Sequence, residues 1–248
     1  MKLQGWYLYN SAFVLKTPKR CFVFDYYPYE EEPKTGGLSV GRLSLEEMKA
    51  FELPVTVFVS HSHYDHYNPV IFDWWDKLPR VTYVVSDDVP PVPNRLAQDA
   101  LMVQEGKLYE WEGMTILTFH STDAGVAFLI QDGALTLYFG GDLNHWDWSG
   151  ETDGYRKTME ADYKREIDRL EGRHIDVAFV PLDGRLEENY WKGLDYFMHT
   201  TKTTHVIPMH FRHQYEVFDQ LEREPRAQEY LHRVQRFDRI GQKFELEV

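Results

Sequence analysis

The chain has 248 residues, is 43% hydrophobic and 15% aromatic, and carries 27 basic against 40 acidic side chains, a net charge of -13. That is enough apolar material for a packed core, which argues against disorder, and the negative field argues against a long nucleic acid as partner. With Cys21 the single cysteine, an internal disulfide and a cysteine-rich zinc site are both excluded, so any metal must be held by nitrogen and oxygen.

The N-terminal residues contain neither a long apolar run nor a small-residue cleavage pattern, so no signal peptide is expected. Nowhere do about 18 apolar residues follow one another, so no membrane span is expected and a cytoplasmic protein is the default. LQGWYLY, AFVLKT and CFVFDY read as strands, with Thr17-Pro18-Lys19 turning the second into the third. A Glu-, Pro- and Gly-rich loop runs from Tyr27 to Gly41, and its acidic stretch after Tyr29 reads as solvated. Ser44, with Glu47 three residues on, caps a short helix through Phe51. Pro54 ends that helix, and VTVFVS is a buried strand running into His61.

Asn68-Pro69 opens a helix to about Lys77, and VTYVVS is the next strand. LYEWE, MTILTFH, VAFLIQD and LTLYFGGD follow as short strands, with Asp132-Gly133 a hairpin turn between the last two. Tyr155, Met159, Tyr163, Ile167 and Leu170 then recur at helical spacing, giving one apolar face. VAFVPLD is a strand, Asn189 to Thr201 a helix and HVIPMH a strand, and the tail is helical until KFELEV. Strand blocks joined to helices in both halves predict an α/β (α+β) chain of two packed sheets with helices outside. Without a repeat or linker, residues 1–248 read as one domain.

The chemistry concentrates in His61-Ser62-His63-Tyr64-Asp65-His66, directly after an apolar strand. Side chains two apart at a strand end share a face, so His61 and His63 can converge on one ion. Asp65 and His66, in the following turn, can face a second. Imidazole and carboxylate donors suit zinc, and also manganese or iron.

His-x-His-x-Asp-His after a buried strand resembles the signature of the metallo-β-lactamase superfamily. That family's later motifs have counterparts in order: His120 ending MTILTFH, Asp142 following LTLYFGG, and His210 ending HVIPMH. The resemblance implies a four-layer αββα sandwich holding two divalent ions. By it, His61, His63 and His120 hold one ion, Asp65, His66 and His210 the second, and Asp142 bridges them. A water shared by the ions becomes the nucleophile, and Asp65 orients it and carries a proton to the leaving group.

Two departures narrow the activity. No cysteine lies among the ligand motifs, which argues against a true β-lactamase, and the bridging aspartate is similar to that of lactonases and phosphodiesterase-like members. Neither a glutathione-gripping helical domain nor the basic arm of tRNA-processing members is evident.

Around the ligands, Tyr64, His145, Trp146, Arg185, Tyr190, Arg212 and His213 are candidates for the substrate pocket, with Trp148 beside them. Arg185 or Arg212 could grip a carboxylate or phosphate, although a solvated arginine on an acidic protein is the slightly better account of each taken singly. His174, His199, His205 and His232 have no motif support. The first expectation is a zinc-dependent, lactonase-like hydrolase of a small ester or lactone. The alternatives are a phosphodiesterase acting on a small or lipid phosphodiester, and a non-hydrolytic di-iron redox or sensor protein.

Overall fold

The computed structural model describes residues 1–29 and 36–248. The acidic stretch after Tyr29, expected to be a solvated loop, lies outside the described residues. The chain forms two compact units, Met1–Gln104 with Phe237–Val248, and Glu105–Arg236.

The first unit is built on strands β1 (Lys2–Tyr9), β2 (Ala12–Lys16), β3 (Cys21–Phe24), β4 (Val55–Val59), β5 (Val81–Ser86), β6 (Ala100–Val103) and, from the C-terminus, β13 (Lys243–Glu247). They form a seven-stranded sheet in the order β13-β1-β2-β3-β4-β5-β6. Strands β13 to β3 pair antiparallel and β3 to β6 parallel. The β2–β3 turn closes as expected, Thr17 Oγ1 accepting the backbone N–H of Lys19 and Arg20. All five residues of β4 are buried, as the uninterrupted apolar run of a parallel strand covered on both faces requires.

Helix α1 (Leu45–Ala50) starts where Ser44 Oγ accepts the Glu47 N–H at 3.3 Å. The Glu47 carboxylate accepts from the Leu38 N–H at 2.7 Å, tying the preceding loop to the helix. Asn68 also caps as expected, but the winding after it is a 3-10 helix, Pro69–Trp74, and not an α-helix to Lys77. Its buried residues Ile71, Phe72 and Trp74 do not form the three-four stripe of an α-helix. Strand β6 escaped the sequence reading because its burial does not alternate.

The second unit contains β7 (Leu108–Trp111), β8 (Met114–His120), β9 (Val126–Asp132), β10 (Leu135–Phe139), β11 (His174–Pro181) and β12 (Lys202–Met209). Its six-stranded sheet has the order β12-β11-β10-β9-β8-β7, antiparallel from β7 to β10 and parallel from β10 to β12. The β9–β10 turn lies one residue later than Asp-Gly suggests. Asp132 pairs with Leu135, and Gly133 takes the positive φ of 66°.

Helix α2 (Asp153–Asp168) buries Met159, Tyr163 and Ile167, while Tyr155 in its first turn is exposed. The helix expected over 189–201 is shorter. A 3-10 segment, Gly184–Asn189, with Glu187 at φ 54°, precedes α3 (Lys192–Thr200). Helix α4 (Glu216–Arg223) follows β12. Among the described residues, no helix is long and apolar enough to cross a membrane.

Parallel neighbours end on the same side of a sheet, so the residues leaving them gather there, the usual place for a site in such sheets. In the first unit these are the residues after β3 and β4. In the second they are those after β10, β11 and β12.

Candidate metal centre

In the first unit, β4 delivers Ser60 and His61, both fully buried. A turn follows in which the His66 and Tyr67 N–H groups donate to the His63 carbonyl, each at 3.0 Å, and this folds Asp65 and His66 back toward His61. The His61 and His66 rings lie 4.1 Å apart between centroids, and the exposed His63 ring stands edge-on to His61 at 4.6 Å.

Asp25, just past β3 at φ 40° and fully buried, organises this half. Its Oδ1 accepts the Ser60 N–H at 2.7 Å, and its Oδ2 accepts the Ser60 hydroxyl at 2.6 Å and His66 Nδ1 at 2.7 Å. Since the Ser60 proton goes to Asp25, Ser60 Oγ receives the Nδ1–H of His61 at 2.8 Å. Donor atoms of Asp25, His61 and His66 lie within 4.8 Å of one another. With both Asp25 oxygens engaged by Ser60 and His66, this acid orients the imidazoles. Burial pushes its carboxyl above the ordinary value, while His66 and Ser60 pull it down. Asn10, buried in the β1–β2 turn at φ 51°, donates its Nδ2 to Asp65 Oδ2 at 3.2 Å.

In the second unit, β10 runs into Gly140, Gly141 and Asp142. A Cβ on Gly140 would stand 3.2 Å from the Phe179 carbonyl oxygen, and Gly141 has φ 50°, so this approach of β10 to β11 favours both glycines. Asp142 is 4% exposed and His210, past β12 at φ 67°, is 3% exposed. His210 Nε2 lies 3.4 Å from Asp142 Oδ1, and His210 Nδ1 lies 2.9 Å from Asp183 Oδ2. Asp183 follows β11 and also pairs with the Arg185 guanidinium. Burial raises its carboxyl, but His210 and Arg185 outweigh burial and bring it down to about 2.

These donors fit a divalent ion. His61, His66 and His210 each commit Nδ1 to a carboxylate, His61 through Ser60, which fixes the tautomer with the lone pair on Nε2. Two ligands about 2 Å from one ion at a tetrahedral angle stand about 3.3 Å apart, the spacing of His210 Nε2 and Asp142 Oδ1.

His120 is placed differently. It ends β8 with its side chain half exposed, and its Nδ1 pairs with Glu105. The structure brings Asp142 and His210 together and does not bring His120 to them. Cys21 begins β3, and burial pushes its thiol up to about 12, leaving it protonated.

Thr122, Asp123, Asp142, Trp146, Trp148, Tyr155, Arg185 and His210 line a cavity of about 290 Å³ in the second unit. Trp146 donates Nε1 to the Asp142 carbonyl at 2.9 Å, stands edge-on to His210 at 5.4 Å and stacks on Trp148 at 6.0 Å. Arg185 reaches the wall with its guanidinium on Asp183 and over the Trp148 ring.

Of the other candidates, buried His145 stacks on Tyr163 and lines a separate cavity of about 380 Å³ beside α2 and α3. Burial lowers its pKa, which favours the neutral ring. Tyr190 is buried outside the Asp142 cavity, and burial pushes its hydroxyl up to about 12. Arg212, at φ 55°, and the exposed His213 follow His210 without lining that cavity. Tyr64 is 68% exposed and packs edge-on to Tyr27. The sequence reading missed Asn10, Asp25, Asp183 and Asp123. Asp25 and Asp183 carry the signal that singled out Asp142, an acid within three residues of the end of an apolar strand.

No protein-family model and no curated protein matches the sequence. Among solved structures, Igni18, a metallo hydrolase from the archaeon Ignicoccus hospitalis, is similar at 15% identity and a TM-score of 0.64, covering 100% of both chains. YhfI, a metallo-β-lactamase fold protein from Bacillus subtilis, is similar at 14% identity and a TM-score of 0.57, covering 98% of this chain and 99% of its own. CmlA, a diiron beta-hydroxylase from Streptomyces venezuelae, is similar at 12% identity and a TM-score of 0.58, covering 100% of this chain and 54% of its own. The chain has the metallo-β-lactamase fold.

Proposed function

We propose that the chain is a metal-dependent hydrolase of a small ester or lactone, with His61, His63, Asp65, His66, Asp142 and His210 holding two divalent ions. The carrying observation is that His61, His66 and His210 are each turned by a carboxylate acting at Nδ1, directly or through Ser60, as ligand imidazoles are. Bound divalent ions would acidify a water and polarise a carbonyl.

The protein's own groups supply the rest. Asn10 donates to Asp65 Oδ2 and orients the carboxylate that takes a proton from the attacking water and returns it to the leaving oxygen. The stacked Trp146 and Trp148 form an apolar wall for the acyl portion. Among the described residues lining this cavity Arg185 is the one cation, and its guanidinium is engaged by Asp183. That favours an uncharged ester over a phosphodiester.

Lactones, thioesters and phosphodiesters offered to metal-loaded protein test this reading. Turnover of the carbonyl substrates is expected. Asp65→Asn should lower it on the order of a hundredfold or more, with a smaller loss of metal. Cleavage of phosphodiesters alone, or equal turnover by Asp65→Asn, contradicts the reading. The name of CmlA keeps a non-hydrolytic diiron activity as the second reading, which an iron absorption band in the purified protein would favour.

A further inference from the structure

We propose that Asp123, and not His120, is the metal ligand contributed by the segment after β8. The inference rests on the metal centre proposed above and changes the composition of its ligand set. His120 does not line the cavity that Asp142 and His210 share. Its Nδ1 is paired with Glu105, its backbone N–H donates to Glu166 Oε2 at 3.3 Å, and its side chain is half exposed.

Past it, the chain turns at Ser121, whose Oγ accepts the Asp123 N–H at 3.2 Å. Thr122 then fastens this loop to the one that carries Asp142. Its hydroxyl donates to the Asn144 carbonyl at 2.6 Å and accepts the Asn144 N–H at 3.0 Å, and it stands 3.4 Å from the Asp142 carbonyl. That staple sets Asp123 on the wall of the cavity that Asp142 and His210 also line. Asp123 is therefore a carboxylate on a tethered loop beside two proposed ligands, in a cavity His120 does not reach.

Exchanging an imidazole for a carboxylate raises the share of hard oxygen donors, which moves preference from zinc toward manganese and iron. The ligand class is a divalent first-row ion.

The test is metal content per chain after reconstitution and desalting, together with affinity from chelator competition. It compares the unaltered protein with Asp123→Ala, Asp123→Glu, His120→Ala and, as a control on the centre, His63→Ala. Circular dichroism would show that each variant folds. Asp123 is exposed on its loop, so Asp123→Ala should fold.

Asp123→Ala is expected to lose one equivalent or to bind it at least about tenfold more weakly, with partial recovery in Asp123→Glu. His120→Ala is expected to keep the unaltered content. Retention by Asp123→Ala while His63→Ala loses metal overturns the Asp123 assignment and leaves the centre standing. Loss in His120→Ala overturns it as well. Full metal in His63→Ala as well as Asp123→Ala overturns the centre itself.

Discussion

Asp25 receives the Ser60 N–H, the Ser60 hydroxyl and the His66 Nδ1–H, and through that hydroxyl it also sets the His61 ring. Asparagine at this position would keep one carbonyl oxygen and turn an NH2 group against a donor. Asp25→Asn should therefore weaken metal binding by about 10–100-fold, as loss of an orienting acid does. Chelator competition measures this, and unchanged affinity would mean that the acid only packs. Asp183 plays the matching part for His210, and Arg185 holds it there. This explains why Arg185, a plausible substrate grip from sequence, is engaged with an acid of its own chain.

The loop after β10 divides its side chains. Asp142 and Trp146 line the cavity shared with His210, while His145 and Asp147 line the one beside α2 and α3. Asp147 fixes the loop to both helices, pairing with Arg156 of α2 and with Lys192 of α3 at 2.5 Å, and its carbonyl accepts Asn189 Nδ2 at 2.8 Å. The hydrogen bond from Arg156, with Lys192 adding to it against burial, lowers the Asp147 carboxyl from 3.8 to about 2. A carboxyl depressed on folding stabilises the protein above its unfolded value and loses that contribution as pH falls through its folded value. The urea midpoint should thus drop between about pH 4 and pH 2, and Asp147→Asn should be weaker at neutral pH and flatter across that window. Parallel curves for the two proteins would remove Asp147 from the account.

At the scale of the molecule, apolar strands ending in chemistry made most of the plan readable. β4 into His61, β10 into Asp142 and β12 into His210 stand out because each strand ends in apolar residues and a histidine or aspartate follows within three positions. The same rule would have found Asp25 and Asp183. It could not find Asn10, whose part depends on where a hairpin turn meets a distant residue. Asp123 was hidden too, because it is set by the Thr122 staple rather than by a strand end. His120 shows the converse: an imidazole at a strand end reads as a ligand, yet its side chain is half exposed and does not line the cavity of Asp142 and His210. The 3-10 winding after Asn68 and the break at Glu187 are tertiary choices that capping residues and periodicity do not encode.

The central claim is that carboxylate-oriented imidazoles, with Asp65 and Asp142, hold two divalent ions. Elemental analysis of the reconstituted protein beside His63→Ala and Asp142→Asn tests it most directly, with circular dichroism to follow the fold. Two equivalents per chain are expected in the unaltered protein, with marked loss in both variants and the fold retained. Equal metal content in all three proteins, or none in any, would contradict it.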